Sequence, residues 1–136
     1  MTFLVDSNVI SEPTKPSPSR RVVDWLRDNE SGLVIDSIVL GELSAGIRSL
    51  PQGRKQRALA AWLDELRETI VCLPWDASVA LRWGRLVAHL RAEAQSMPIL
   101  DSQIAATALT HDLTIATRNA DDFRHAGVKL TNPFGT

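Results

Sequence analysis

The sequence predicts an α/β fold: a mainly parallel sheet of four to five strands with helices on both faces. Short apolar runs bounded by turn-forming residues alternate along the chain with longer amphipathic stretches. The chain is 136 residues long, which suits a single domain over residues 1–136 with one buried core. Its 44% hydrophobic and 23% charged residues are an ordinary globular balance.

The elements follow in order. Phe3-Leu4-Val5 reads as a short buried strand that runs into a turn at Asp6-Ser7-Asn8. Pro13, Pro16 and Pro18 make a stiff connection, and Ser19 caps a helix carrying Val22, Val23 and Leu26. Leu33-Val34-Ile35 is the second strand, with Asp36 or Ser37 placed to cap the helix that contains Glu42 and Leu43. Pro51 and Gly53 end that helix. Leu59, Trp62, Leu63, Leu66 and Ile70 then repeat at helical spacing along one face. Val71-Cys72-Leu73 is a third strand stopped by Pro74, and Asp76 caps a helix whose face is Val79, Trp83, Leu86, Val87 and Leu90. Pro98 precedes a shorter helix from about Asp101 to Leu113; Thr114–Thr117 is the fourth strand and Val128–Leu130 a weak fifth.

Several function classes are excluded early. No apolar run approaches the ~20 residues of a membrane span, and Asp6 interrupts the N-terminus before a signal-peptide core develops. One cysteine, Cys72, forms neither an internal disulfide nor a thiolate zinc cage. These features point to the cytoplasm. His89, His111 and His125 lack metalloprotease spacing, no serine sits in a Gly-x-Ser-x-Gly elbow, and the glycines form no phosphate loop. The net charge of −1 does not announce a nucleic-acid binder. Two local basic clusters, Arg20-Arg21 and Arg48, Arg54, Lys55 and Arg57, each read as solvated surface when taken alone. The tryptophans read as core or interface rather than as base-stacking platforms.

Three carboxylates carry the chemical interest. Asp6 closes the first strand, at the edge where parallel sheets bind ligands, although a turn or cap explains it equally well. Asp101 heads the apolar stripe of its helix, with Ile104, Ala105, Ala108 and Leu109 following on the same face. A carboxylate there faces the core and must be capped, paired or metal-bound. Glu42 lies mid-helix at the edge of a buried face, where capping is unavailable, and Ala45 and Gly46 offer no helical ion pair. After the fourth strand, Asn119 and Asp122 stand at capping-box spacing; either could instead complete the acidic cluster, and Arg118 could touch phosphate. Converging carboxylates suit hard cations that activate water for phosphoryl chemistry.

The ordered set Asp6-Ser7-Asn8-Val9-Ile10-Ser11-Glu12, Gly41-Glu42-Leu43, Asp101-Ser102-Gln103-Ile104-Ala105-Ala106-Thr107-Ala108 and Thr117-Arg118-Asn119 resembles the PIN-domain ribonuclease toxins of the VapC and FitB type. It runs from Asp6 to about Pro133. The resemblance implies magnesium-dependent endonucleolytic cleavage of RNA, with manganese as a substitute and transfer RNA among the candidate substrates. It also implies a cognate VapB- or FitA-like antitoxin and a homodimer, for which the apolar helical faces around Trp62 and Trp83 are suited. The family's metal-site acids carry over to Asp6, Glu42 and Asp101. Asn119 stands where some relatives have an acid, so the fourth ligand is Asp122, Asn119 or neither; Thr117 and Arg118 belong to the surrounding shell or to substrate contact. Two other readings remain: a catalytically silent RNA- or protein-binding module of the same fold, and a phosphoacceptor signalling domain using Asp36 with Lys129.

Overall fold

A computed structural model describes residues 2–135. Five strands, β1 (Phe3–Val5), β2 (Leu33–Asp36), β3 (Val71–Leu73), β4 (Thr114–Ala116) and β5 (Lys129–Thr131), form one sheet in the order β3-β2-β1-β4-β5. All neighbouring pairs are parallel, so the sheet has the larger of the two strand numbers expected. The helices are α1 (Ser7–Ile10), α2 (Arg20–Asp28), α3 (Ser37–Arg48), α4 (Arg54–Thr69), α5 (Ala77–Ala92) and α6 (Ile99–His111).

Burial along the strands shows that both sheet faces are covered. Successive strand residues point to opposite faces, yet Leu4 and Val5, Val34 and Ile35, and Ile115 and Ala116 are all buried. Only at the edges does the covering thin: Val71 in β3 and Lys129 in β5 are exposed. The central α6 is enclosed on several sides, with Ser102 and Ile104 to Ala108 buried. Small residues at Ala105, Ala106 and Ala108 let neighbouring elements approach it closely. Trp83 of α5 donates its indole N–H to Ser102 Oγ at 2.9 Å, and that hydroxyl donates to the Ile99 carbonyl at 2.6 Å. The first turn of α6 is thereby pinned to α5.

Several boundaries differ from the sequence expectation in informative ways. The chain after β1 does not merely turn; it enters α1 at once, capped by Asp6. Helix α6 starts at Ile99, two residues before Asp101, with Pro98 at its N-cap. The stiff proline segment is closed by Glu12, which is 5% exposed despite its charge. Its Oε2 accepts from the Ser19 N–H at 2.9 Å and its Oε1 pairs with Lys15 Nζ at 2.9 Å. These contacts, the Ser19 bond foremost, hold its carboxyl below the usual range.

Strand order reverses beside β1. The chain steps outward through β2 and β3, returns to place β4 on the other side of β1, and continues to β5. Such a switch point opens a crevice outside the carboxyl ends of the two central strands. Asp6 and Thr117 are the residues that immediately follow those strands.

Candidate active site

Asp6 is 4% exposed and is held by three donors. Its Oδ1 accepts from the Ser7 N–H at 2.8 Å; its Oδ2 accepts from Thr117 Oγ1 at 2.7 Å and Asn8 Nδ2 at 3.3 Å. An ionised carboxylate offers about four lone-pair sites, so the cradle fixes the group without saturating it. Capping and site-building are therefore not alternatives here, because one oxygen caps α1 and the other faces Thr117.

Thr117 is fully buried, and its hydroxyl also accepts from the Asn119 N–H at 3.1 Å. Asn8 completes the tie: its Oδ1 accepts from the Arg118 N–H at 3.0 Å while its amide donates to Asp6. Sequence reasoning gave Asn8 no role. Its only signal was an amide two residues beyond a strand-end aspartate, which is usually a local turn device.

Glu42 and Asp101 come into the field of Asp6 from α3 and α6. Burial, then the charges of Asp6, Asp101 and Asp36, push the Glu42 carboxyl up to about 7. Burial, then Asp6 and Asp122, push Asp101 up to about 6. Glu42 Oε1 is buried without a hydrogen-bond partner. With Pro98 at the N-cap and no side-chain cap bond there, Asp101 is not spent on capping α6. These groups sense one another because α3 and α6 pack together over the end of the sheet.

The remaining candidates separate. Asp122 is exposed yet near enough for its charge to raise Asp101. Asn119 makes no side-chain cap bond to the turn over Ala120–Phe123, so the capping box is not formed and its amide is uncommitted. Arg118 lays its guanidinium over the Phe134 ring at 4.4 Å. Asp36 is 1% exposed and caps α3 through the Val39 N–H at 2.8 Å. A phosphodonor has no access to it. Lys129 belongs to β5, two strands beyond β1 from β2, and pairs with Asp112 at 3.1 Å. The phosphoacceptor arrangement is absent among the described residues.

Among the described residues, no three His, Cys, Asp or Glu side chains stand close enough to hold a metal ion unaided. The donor set fits an open oxygen site instead. Magnesium keeps several waters and takes only one or two carboxylates. A buried, unpartnered Glu42 oxygen and two carboxyls raised by burial and by their neighbours' negative charge are compatible with such a site.

Beside Glu42 runs a groove of about 380 Å³, lined by Lys15, Leu43, Lys55, Leu59 and Trp62 among others. Its acidic end lies at Ser7, Asn8 and Glu42, and its far wall is mostly apolar.

Residues 3–129 match the family model described as PIN domain. The chain is 34% identical to the Toxin FitB of Neisseria gonorrhoeae over 136 residues, covering 97% of this chain and 98% of the relative. It is 30% identical to a VapC ribonuclease of Sinorhizobium fredii, covering 97% of each. A solved structure of FitAB bound to a DNA fragment superposes with a TM-score of 0.91 at 31% identity, covering 99% of this chain and 97% of that one. No described helix is long and apolar enough to cross a membrane.

Proposed function

The chain belongs to the PIN domain family, and from that premise we propose that it is the toxin of a toxin–antitoxin pair, an endoribonuclease that hydrolyses RNA phosphodiester bonds with magnesium. The observation that carries this reading is the coupling of Asp6, Glu42 and Asp101 at the switch point of the sheet. Kinship with a named VapC ribonuclease and a named toxin supports it. PIN-domain ribonucleases as a group depend on a metal ion; magnesium is our choice because the donors are hard oxygens, with manganese as a substitute.

In this reading Asp6 and Asp101 are the principal metal ligands. The cation they would hold would lower the pKa of the attacking water and offset charge on the phosphoryl oxygens. Glu42 orients that water or adds a further ligand. As a carboxylate it can take the water's proton as the oxygen bonds phosphorus and the bond to the leaving oxygen breaks. Asp122 and the free amide of Asn119 border the cation site, Arg118 is available to phosphate on the same rim, and Thr117 positions Asp6.

The antitoxin, a VapB- or FitA-like protein, covers the acidic end and packs into the apolar wall of the Trp62 groove. A homodimer is also part of the proposal, though Trp83 is turned inward to Ser102. Leu81, Ile99 and Leu100, which are 74%, 67% and 47% exposed, suit self-association better. We place the protein in the cytoplasm and treat residues 1–136 as one domain.

Purified protein freed of antitoxin is incubated with total RNA, or with transfer RNA as a narrower target, and magnesium. Cleavage by the wild type, its loss in EDTA and its absence in Asp101→Asn are the expected results; magnesium-independent RNA integrity throughout would leave the silent module standing. Thr117→Val tests the cradle. It strands the Asn8–Asp6 corner without its hydroxyl and is expected to cost about 1–3 kcal/mol of stability. Its cleavage should need more magnesium than the wild type, and Thr117→Ser should restore the magnesium dependence.

A further inference from the structure

The basic cluster of the sequence lies where this enzyme would need it. Residues 43–63 contain four cations, Arg48, Arg54, Lys55 and Arg57, and no acid, in a chain whose net charge is −1. They surround the corner between α3 and α4, and all are exposed. None of them forms an ion pair among the described residues.

That corner frames a second groove, of about 680 Å³, between α3 and α4. Arg48 enters it from α3; Arg57 and Arg67 enter from α4, ten residues apart, about 15 Å along the axis and about 80° around it. Asp64 is its one acidic lining residue and pairs with none of them. Gln56 fixes the corner by donating from its amide to the Ile47 and Leu50 carbonyls, each at 3.1 Å. Three guanidiniums thus border the groove, none paired with Asp64 or with any other carboxylate among the described residues. Arginines arrayed this way match phosphate oxygens.

Position supports the same occupant. Arg48 follows Glu42 by six residues on α3, about 9 Å along the axis and about 120° around it. Nine ångströms is two to three stacked nucleotides at ~3.4 Å per phosphate on one strand. We infer that the α3–α4 groove is a phosphate-backbone track, in which Arg48, Arg57 and Arg67 hold the RNA strand flanking the cleaved bond. The inference rests on the ribonuclease reading and adds where the substrate lies. The groove beside Trp62, with its apolar wall, remains the partner's.

The test compares wild type, the triple variant Arg48→Gln/Arg57→Gln/Arg67→Gln, and the same triple to lysine. Two readouts are used, cleavage of an RNA long enough to span both sites and of a minimal oligonucleotide, and anisotropy of a labelled RNA in EDTA across a salt series. Thermal melts confirm that these exposed changes leave the fold intact. Each single-strand phosphate contact contributes ~0.7 to the slope of log K against log salt, so the glutamine triple should flatten the slope by about 2. KM for the long RNA should rise at least about tenfold with kcat held, the minimal substrate should be unaffected, and lysine should restore most of the loss. Wild type that cleaves RNA with the same KM and slope as the glutamine triple overturns the track while leaving the nuclease reading intact. Loss of antitoxin binding with RNA parameters unchanged also overturns it, assigning the groove to an acidic protein segment. RNA binding that shows the expected slope change without cleavage by the wild type keeps the track and removes the nuclease.

Discussion

Asp6→Asn is expected to cut cleavage sharply and also weaken the fold, whereas Asp101→Asn is expected to cut cleavage alone. The difference follows from how each carboxylate is held. Three donors converge on Asp6, from Ser7, Asn8 and Thr117. A carboxamide has a single acceptor oxygen, so one of its ends must point N–H at another donor. Neither the fixed Ser7 N–H nor the Asn8 amide, whose Oδ1 already accepts from the Arg118 N–H, can turn to relieve this. Leaving a buried donor unsatisfied costs about 1–3 kcal/mol. Asp101 is raised by burial and by the charges of Asp6 and Asp122, and an amide there removes repulsion. Both variants should lose on the order of 10²–10³ in kcat, the scale of a lost transition-state charge contact. Denaturant melts beside RNA cleavage separate the two cases. An Asp6→Asn protein as stable and as active as wild type would remove Asp6 from the site.

Glu42→Gln stabilises the metal-free protein at pH 8 and does little below about pH 4.5. The folded Glu42 carboxyl is raised to about 7 from an ordinary 4.5. Between those values the folded state binds more protons than the unfolded chain, so stability falls as pH rises through the window. Above about pH 7 the charge is present in the fold and the full cost is borne; at low pH both states are protonated and the cost vanishes. Glutamine does not titrate and avoids the cost. Metal binding runs the other way, because a ligating carboxylate must be deprotonated. At a hundred times its Kd, magnesium adds about 2.7 kcal/mol to wild-type stability. That gain should be larger at pH 8 than at pH 5.5, and small in Glu42→Gln with Asp101→Asn at any pH. Scanning calorimetry with and without magnesium at both pH values decides it. A variant that melts below wild type at pH 8 without metal would mean that Glu42 holds the fold together rather than straining it.

The two predictions share a cause. Asp6 is held by hydrogen bonds, whereas Glu42 and Asp101 are raised first by burial, then Glu42 by the charges of Asp6, Asp101 and Asp36 and Asp101 by those of Asp6 and Asp122. In the proposed site, cleavage would depend on a group the fold supports and two that the fold tolerates at a cost. Strain of this kind gathers at functional sites.

Much of this was legible in the linear sequence, and the reason is periodicity. Alternating short apolar runs and amphipathic stretches determined a parallel α/β sheet, and the stripe below Asp101 determined that its carboxylate faces inward. Asp6 at a strand end and Glu42 without a helical partner were visible as residues lacking a local explanation. The ordered motifs supplied the rest of their weight. Tertiary structure alone decided that Thr117, 111 residues away in sequence, donates to Asp6, because the pairing of β4 beside β1 is a matter of topology. It alone decided that Asn8 joins the two loops, that Asp36 is buried, and that Arg48 of α3 shares a groove with Arg57 and Arg67 of α4. Local chemistry fixes which residues need partners; only the packing of distant segments fixes which partners they find.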